Sequence, residues 1–232
     1  MPFSTAQPIP IDGGNGTGKT TLIALLIEWY ARLGQACFGV STGEFYRIVA
    51  YLAFQYVQGN LQALRALPAE TCIQLARDRN FQIVNGKGYL NGQEVERDLF
   101  RAPAISEATP FVSRKPEVRA FLDQAVIEMV AATSGLVFLD GRDIGTTVFP
   151  EAPVKFFLTV QPEESARRQG ILLEQIKERD RRDANRDVAP MVPASDAHII
   201  DTTNLTPNGL LEVVTTIIDT KLFSDSSLLA HH

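Results

Sequence analysis

Short apolar runs alternate along the chain with longer stretches in which apolar residues recur every three or four positions. That alternation predicts an α/β protein built on a parallel central sheet flanked by helices. The first strand is expected at Ile9 to Asp12, where Pro8 and Pro10 sit awkwardly because a proline cannot donate to a central ladder. A Gly-rich turn follows, then a helix from Lys19 to about Leu33 with Leu22, Leu25, Leu26, Trp29 and Leu33 on its apolar stripe and Gly34 as its cap. Cys37 to Val40 reads as a second strand, and Gly43 to Gln58 as a helix ended by Gly59-Asn60.

The next stretch is less regular. Leu61 to Leu67 and Glu70 to Asp78 look helical, and Phe81 to Val84, Gly88 to Leu90 and Gln93 to Val95 are short apolar runs separated by Asn85-Gly86 and Asn91-Gly92. Asn-Gly between such runs is a strong hairpin signal, so a small antiparallel insert is expected here. A helix from Pro116 to about Ala132 buries Val118, Phe121, Leu122, Ala125, Val126 and Met129. Strands follow at Leu136 to Asp140 and Val154 to Val160, a helical segment spans Pro162 to Arg186, and Ala197 to Asp201 and Pro207 to Leu222 form the last strand and helix.

The segment Gly13-Gly14-Asn15-Gly16-Thr17-Gly18-Lys19-Thr20 fits GxxxxGKS/T and lies between a predicted strand and a predicted helix, the setting in which that spacing cradles phosphate. Glycines let successive backbone N–H groups turn inward around phosphate oxygens, and the following helix adds its positive end. Lys19 would reach the β and γ phosphates of ATP or GTP, Thr20 would ligate Mg²⁺, and Thr21 completes the loop. Asp140, ending an apolar strand, has the place of the acidic residue that meets Mg²⁺ or its waters. The bland alternative, a turn that only joins strand to helix, needs the spacing, the lysine and the threonine all to coincide.

Composition narrows the class. With 45% apolar and 21% charged residues the chain has enough nonpolar side chain for a core, and 22 Lys plus Arg against 27 Asp plus Glu gives a net charge of −5. A general nucleic-acid binder is disfavoured, although a local basic pocket is not. Cys37 and Cys72 lack disulfide-framework or zinc spacing, which fits a reducing cytoplasm. Met1 to Gln7 lacks the order of a signal peptide, and no run is long enough to span a bilayer, so no membrane partner is expected. His231 and His232 are set aside as native or tag-derived.

Arg142 and Asp143 follow the strand ending at Asp140 and so lie at the carboxyl edge of the sheet, where open α/β folds bind ligands. An arginine there is a fork for phosphate, and the neighbouring aspartate can accept from a base amino group. Their alternative is a mutual pair across a turn.

Five segments in order, Ile11 to Thr21, Thr42 to Arg47, Pro116 to Arg119, Asp140 to Pro150 and Ile176 to Pro190, resemble the bacterial cytidylate kinases. The similarity runs from about Ile9 to Asp201, and its GRDxGTxVFP and ERDxRDxxR parts are far more specific than the phosphate loop. The resemblance implies a P-loop three-layer fold, a small antiparallel insert that binds the nucleoside monophosphate, and a short lid. The corresponding division is 1–42 as core with the loop, 43–115 as insert, 116–160 as core, 161–186 as lid and acceptor-binding helix, and 187–232 as core and C-terminal tail.

It also implies transfer of the γ-phosphoryl group of ATP to CMP or dCMP. By position, Arg47 and Arg142 would hold the acceptor phosphate, Thr42, Arg119 and Asp143 would surround the cytosine, and Arg179, Asp183 and Arg186 would serve ribose and phosphate. The last three share a helical face at i, i+4, i+7. Lys19, Arg142 and Arg186 are the residues expected to act on the transferring charge. Phe45 and Tyr46 read as packing and Arg181 and Arg182 as solvated charge, while for Arg167 and Arg168 phosphate contact and surface exposure stay open. The chain departs from the family at Thr20, where members usually carry Gly or Ser, in a shorter stretch between Arg168 and Lys177, and in Thr109-Pro110 where members often place a ribose-reading Ser.

In-line transfer between two nucleotides needs position and charge rather than a covalent nucleophile, so His198, in a predicted strand, reads as packed. The partners expected are ATP with Mg²⁺ and CMP or dCMP, with no nucleic-acid polymer, and the chain is expected to be a cytoplasmic monomer. The competing readings are a kinase for UMP or AMP and a nucleotide-binding switch that a partner reads. A nucleic-acid-dependent ATPase ranks third.

Overall fold

The computed structural model describes residues 3, 5–174, 176–177 and 191–223. Two units pack separately, one from residues 1–39 and 133–232 and the other from residues 40–132.

The first unit is organised by a five-stranded sheet of β1 (Ala6–Gly13), β2 (Cys37–Ser41), β6 (Gly135–Gly141), β7 (Phe156–Thr159) and β8 (His198–Asp201), in the order β2-β6-β1-β7-β8. The ladders of β1 with β6, β1 with β7 and β7 with β8 are parallel. The chain winds from β1 towards β2 and β6 and then crosses to β7 and β8, so the switch of direction falls at the carboxyl end of β1, where such sheets open a ligand crevice.

Strand β1 is longer than its sequence suggests and holds both prolines. It pairs with β6 from Ala6 to Asp12 but with β7 only from Ile11 onward. Pro8 and Pro10 therefore lie where the strand has one partner. Two residues apart, they present their missing donors on the same side, and the unbroken β6 ladder puts that side away from β6.

Helix α1 (Lys19–Arg32) buries Leu22, Ile23, Leu26 and Tyr30 against Ile9, Ile11, Leu136 and Phe138 and against α9 (Pro207–Leu222). The buried stripe is rotated from the predicted one, because Leu25 and Trp29 are only half-buried and Leu33 has left the helix for solvent. Gly34 caps α1 as predicted, its N–H and that of Gln35 reaching the carbonyls of Ala31 and Tyr30. The buried Tyr30 hydroxyl donates to Asp219 on α9 at 2.8 Å, and burial, then that carboxylate, pushes its pKa far up. The expected Pro162–Arg186 helical segment is interrupted. Helix α8 (Pro162–Gln169) stops at Gly170, whose left-handed backbone turns the chain out of the helix. The chain is helical again at residues 173–174 and 176–177, and residues 178–186 lie outside the described residues.

The second unit contains α2 (Thr42–Tyr56), α3 (Leu61–Ala66), α4 (Ala69–Asp78), α5 (Arg97–Arg101), α6 (Pro103–Ser113) and α7 (Pro116–Ala131). Its antiparallel sheet joins β3 (Gln82–Val84), β4 (Lys87–Leu90) and β5 (Gln93–Glu94). Both hairpins turn on the predicted Asn-Gly pairs, and all four turn residues have positive φ, as type I′ turns demand. Asn60 caps α3 by accepting from Gln62 and Ala63. Helix α7 buries Val118, Leu122, Val126 and Met129 as its spacing predicted, while α5 and α6 had no sequence expectation. Among the described residues, no helix is long and apolar enough to cross a membrane.

Candidate functional site

The carboxyl end of β1 runs directly into the Gly13–Thr20 loop. Gly13 sits at φ 145° with its Cα against β7, and a Cβ there would stand 2.3 Å from the Leu158 carbonyl oxygen, so only glycine lets the strand turn here. The Lys19 ammonium donates to the Gly13 and Gly14 carbonyls at 2.8 Å each and stands 3.7 Å from the Asp140 carboxylate. Burial is the largest influence on Lys19 and lowers its pKa. Asp140 works in the opposite sense, and Arg142 adds to the lowering.

Thr20, the first turn of α1, donates to Asp140 Oδ2 at 3.2 Å. A hydroxyl and a carboxylate side by side at the mouth of a phosphate loop form a hard-oxygen pair of the kind Mg²⁺ takes together with phosphate oxygens and water. Both were proposed as metal-binding from sequence, and the fold brings them into contact across 120 residues. Arg142, just past β6, donates to Asn15 Oδ1 at 3.0 Å and reaches Met191 Sδ at 3.7 Å. The Lys19 ammonium and the Arg142 guanidinium thus accompany the loop's amides, a concentration of positive charge suited to a polyanion.

Asp143 is buried, and the Thr147 hydroxyl donates to its Oδ2 at 3.2 Å. The turn that follows, Ile144–Val148, winds as a single π-helical turn. Its amides are caught by Asp12, which was not singled out from sequence. Asp12 Oδ1 accepts from Ile144 N–H at 3.0 Å and Oδ2 from Gly145 N–H at 2.8 Å. Its carboxyl is 4% exposed, and burial, only partly offset by those two N–H bonds, pushes its pKa up to about 6. The last residue before the phosphate loop therefore also pins the segment carrying Arg142 and Asp143. A buried acid before a Gly-rich loop was the available signal, but its partners lie 132 and 133 residues away.

In the second unit, Arg47 on α2 donates to Ser106 on α6 at 2.8 Å, and its pKa is lowered, first by burial and then by Arg101. Glu44 accepts from both Arg97 and Arg101. Arg119 on α7 is 7% exposed and lies over the Tyr46 ring at 5.5 Å from its centre, while the Tyr46 hydroxyl donates to Asp123 at 3.4 Å. Tyr46 is thus more than packing: it holds the face of a cation. Phe45 is core, as predicted. Thr42 opens α2. Thr109 donates to Ile105 within α6 at 2.6 Å, so its hydroxyl serves its own helix.

Arg167 and Arg168, for which phosphate contact and surface exposure had both stayed open, part company in the structure. Arg167 is exposed and bonded to Glu164, whereas Arg168 is neither exposed nor turned to solvent but hydrogen-bonded to backbone carbonyls around the phosphate loop. Arg179, Asp183 and Arg186, with Arg181 and Arg182, lie outside the described residues. His198 packs its ring on Phe156 at 5.8 Å, as its strand position suggested.

The family model for cytidylate kinase matches residues 9–220, which takes in β1 from Ile9 onward, the phosphate loop, the whole of the second unit and all but the end of α9. A cytidylate kinase from Shewanella pealeana is 37% identical over 94% of this chain and 96% of its own length. One from Pseudomonas aeruginosa is 37% identical over 89% and 92%, and one from Pelotomaculum thermopropionicum 35% identical over 89% and 93%. A match of that extent embraces the phosphate loop, the Arg142-Asp143 turn and the hairpin unit together, and so the chain belongs to the cytidylate kinase family.

Proposed function

We propose that the protein transfers the γ-phosphoryl group of ATP to CMP or dCMP, giving CDP or dCDP. The observation that carries the reading is the meeting of Lys19, Thr20, Asp140 and Arg142 at the Gly13–Thr20 loop. An oxygen of the acceptor phosphate attacks the γ phosphorus, the bond to the β,γ-bridging oxygen breaks, and ADP leaves with that electron pair. The acceptor is already an anionic nucleophile, so the protein's work is alignment and charge.

Residues Gly13, Gly14, Asn15, Gly16, Thr17, Gly18, Lys19, Thr20 and Thr21 bind the donor phosphates in this reading. Thr20 and Asp140 would hold Mg²⁺, directly or through its waters, and the bound ion would neutralise charge on the β and γ oxygens. Arg47 and Arg142 bind the acceptor phosphate, Arg142 and Lys19 offset charge during transfer, and Thr42, Arg119 and Asp143 read the cytosine. Arg179, Asp183 and Arg186 complete the acceptor contacts by family position, and Arg186 joins the charge stabilisation.

The test is an acceptor panel with ATP against CMP, dCMP, UMP, AMP and GMP. CMP and dCMP should be the fastest, and faster turnover of UMP or AMP would replace the cytosine assignment. A saturable CMP site in calorimetry distinguishes a kinase from a nucleotide switch, which would have none. Asp143 supplies the finer check. An aspartate that accepts from the cytosine amine loses that preference as asparagine, so Asp143→Asn should lower the ratio of kcat/KM for CMP over UMP by about tenfold or more. An unchanged ratio would remove Asp143 from base recognition.

A further inference from the structure

The amides of a phosphate loop face inward only if its carbonyls face outward, and every outward carbonyl needs a donor. In this chain each carbonyl from Gly13 to Gly18 has one. Lys19 serves Gly13 and Gly14, with the Thr17 hydroxyl also on Gly14 at 2.9 Å, and the Leu22 N–H serves Gly18 at 2.9 Å. The three carbonyls between them are served from elsewhere in the fold. Ser165 on α8 donates to Asn15 at 2.9 Å, Arg168 on α8 to Gly16 at 3.1 Å, and Thr202 after β8 to Thr17 at 3.1 Å.

The arginine is wholly committed. Its Nε donates to Glu164 at 2.8 Å, Nη1 to Gly16 and to the Thr202 hydroxyl at 3.1 Å each, and Nη2 to the carbonyls of Thr202 and Thr203. A guanidinium has five N–H donors, and these five acceptors use them all. Ser165 is equally fixed, since its hydroxyl donates to Asn15 while accepting from Gln169 at 2.9 Å. Gly16 shows how close the brace lies: a Cβ there would fall 2.4 Å from Ser165 Oγ, at a φ of 75° that side chains already resist.

We propose that Ser165 and Arg168 are positioning residues for donor binding: they hold the Asn15 and Gly16 peptides with carbonyls out, so that the loop's amides are set for phosphate before it arrives. The proposal rests on reading the loop as the ATP site, and it gives Arg168 no phosphate contact. A lysine cannot reproduce the fork that spans Gly16, Thr202 and Thr203, even though it keeps the charge.

The experiment compares Arg168→Lys, Arg168→Ala and Ser165→Ala by calorimetric titration with ATP and by KM for ATP and CMP. Both Arg168 variants should bind ATP about tenfold more weakly, and Ser165→Ala about threefold, each with KM for CMP within about twofold of wild type. Near-complete rescue by Arg168→Lys would show that charge alone matters and would overturn the brace, as would both KM values rising together or ATP affinity staying at the wild-type level. If Arg168→Ala fails to fold, the lysine and serine variants still decide. Because ATP titration needs no acceptor, its outcome stands apart from whether CMP is the substrate, which the acceptor panel decides on its own.

Discussion

Lys19→Ala is expected to lower kcat for ATP-dependent phosphoryl transfer by about a hundredfold to a thousandfold, about 3 to 4 kcal/mol at the transition state. Two losses combine. The ammonium would no longer reach the β and γ phosphates as charge moves between them, and the Gly13 and Gly14 carbonyls, which it holds at 2.8 Å, would lose their donor. The Asp140 carboxylate would keep its position beside Thr20 but lose the cation 3.7 Å away. Fold stability should change little by comparison, because burial already disfavours the charged Lys19, as its lowered pKa shows. Steady-state kinetics beside a urea melt separates the two: turnover falls while the midpoint stays within a small shift. Wild-type turnover in the variant would remove the loop from the chemistry.

What could be read from the sequence divides according to distance along the chain. The phosphate loop was legible because its requirements are local: glycines for the turn, a lysine and a threonine at fixed offsets, a strand before and a helix after. The Asn85-Gly86 and Asn91-Gly92 hairpins were legible for the same reason, since two residues decide each turn. Helices α5 and α6 carried no sequence expectation, and Pro103 and Pro110 obscure a helical pattern in that stretch because proline is a poor helix former. Pro103 occupies the first turn of α6, where its missing N–H has no helical partner to lose, while Pro110 lies inside the helix.

The long-range features left fainter marks. The α1 stripe was displaced because periodicity identifies a face without saying which neighbour it meets, and the partners of Tyr30 include Asp219 far along the chain. For Arg168, as for Arg167, phosphate contact and surface exposure both stayed open in the sequence, and nothing local distinguishes the two. Only the fold places Gly16, Thr202 and Thr203 around one guanidinium and leaves the other on Glu164. Asp12 is the sharpest case, for an acid ending a strand is common, whereas an acid whose two oxygens catch consecutive amides of a distant turn is a construction of the tertiary structure.

That construction predicts an unusual pH dependence. The Asp12 carboxyl rises from its ordinary 3.8 to about 6, with burial as the main cause and the Gly145 and Ile144 N–H bonds opposing it. In the unfolded chain the proton leaves near the ordinary value, while in the folded chain it stays until about 6. Between those values the native state carries more protons than the unfolded one, so this residue makes stability fall as pH rises through the window. The drop corresponds to about 3 kcal/mol once the group is fully ionised. Asp12→Asn cannot titrate, so its stability relative to wild type should increase by about that amount between about pH 4 and pH 7. Urea unfolding at both ends of the range measures it, and parallel profiles for the two proteins would show that Asp12 does not carry the strain. Function should move the other way. Asparagine offers one acceptor oxygen where two amides need one each, so the Ile144–Val148 turn is held less firmly and Arg142 and Asp143 with it. KM for CMP should therefore rise by about tenfold in the same variant that gains stability at neutral pH, the pattern of a buried charge retained for the site rather than for the fold.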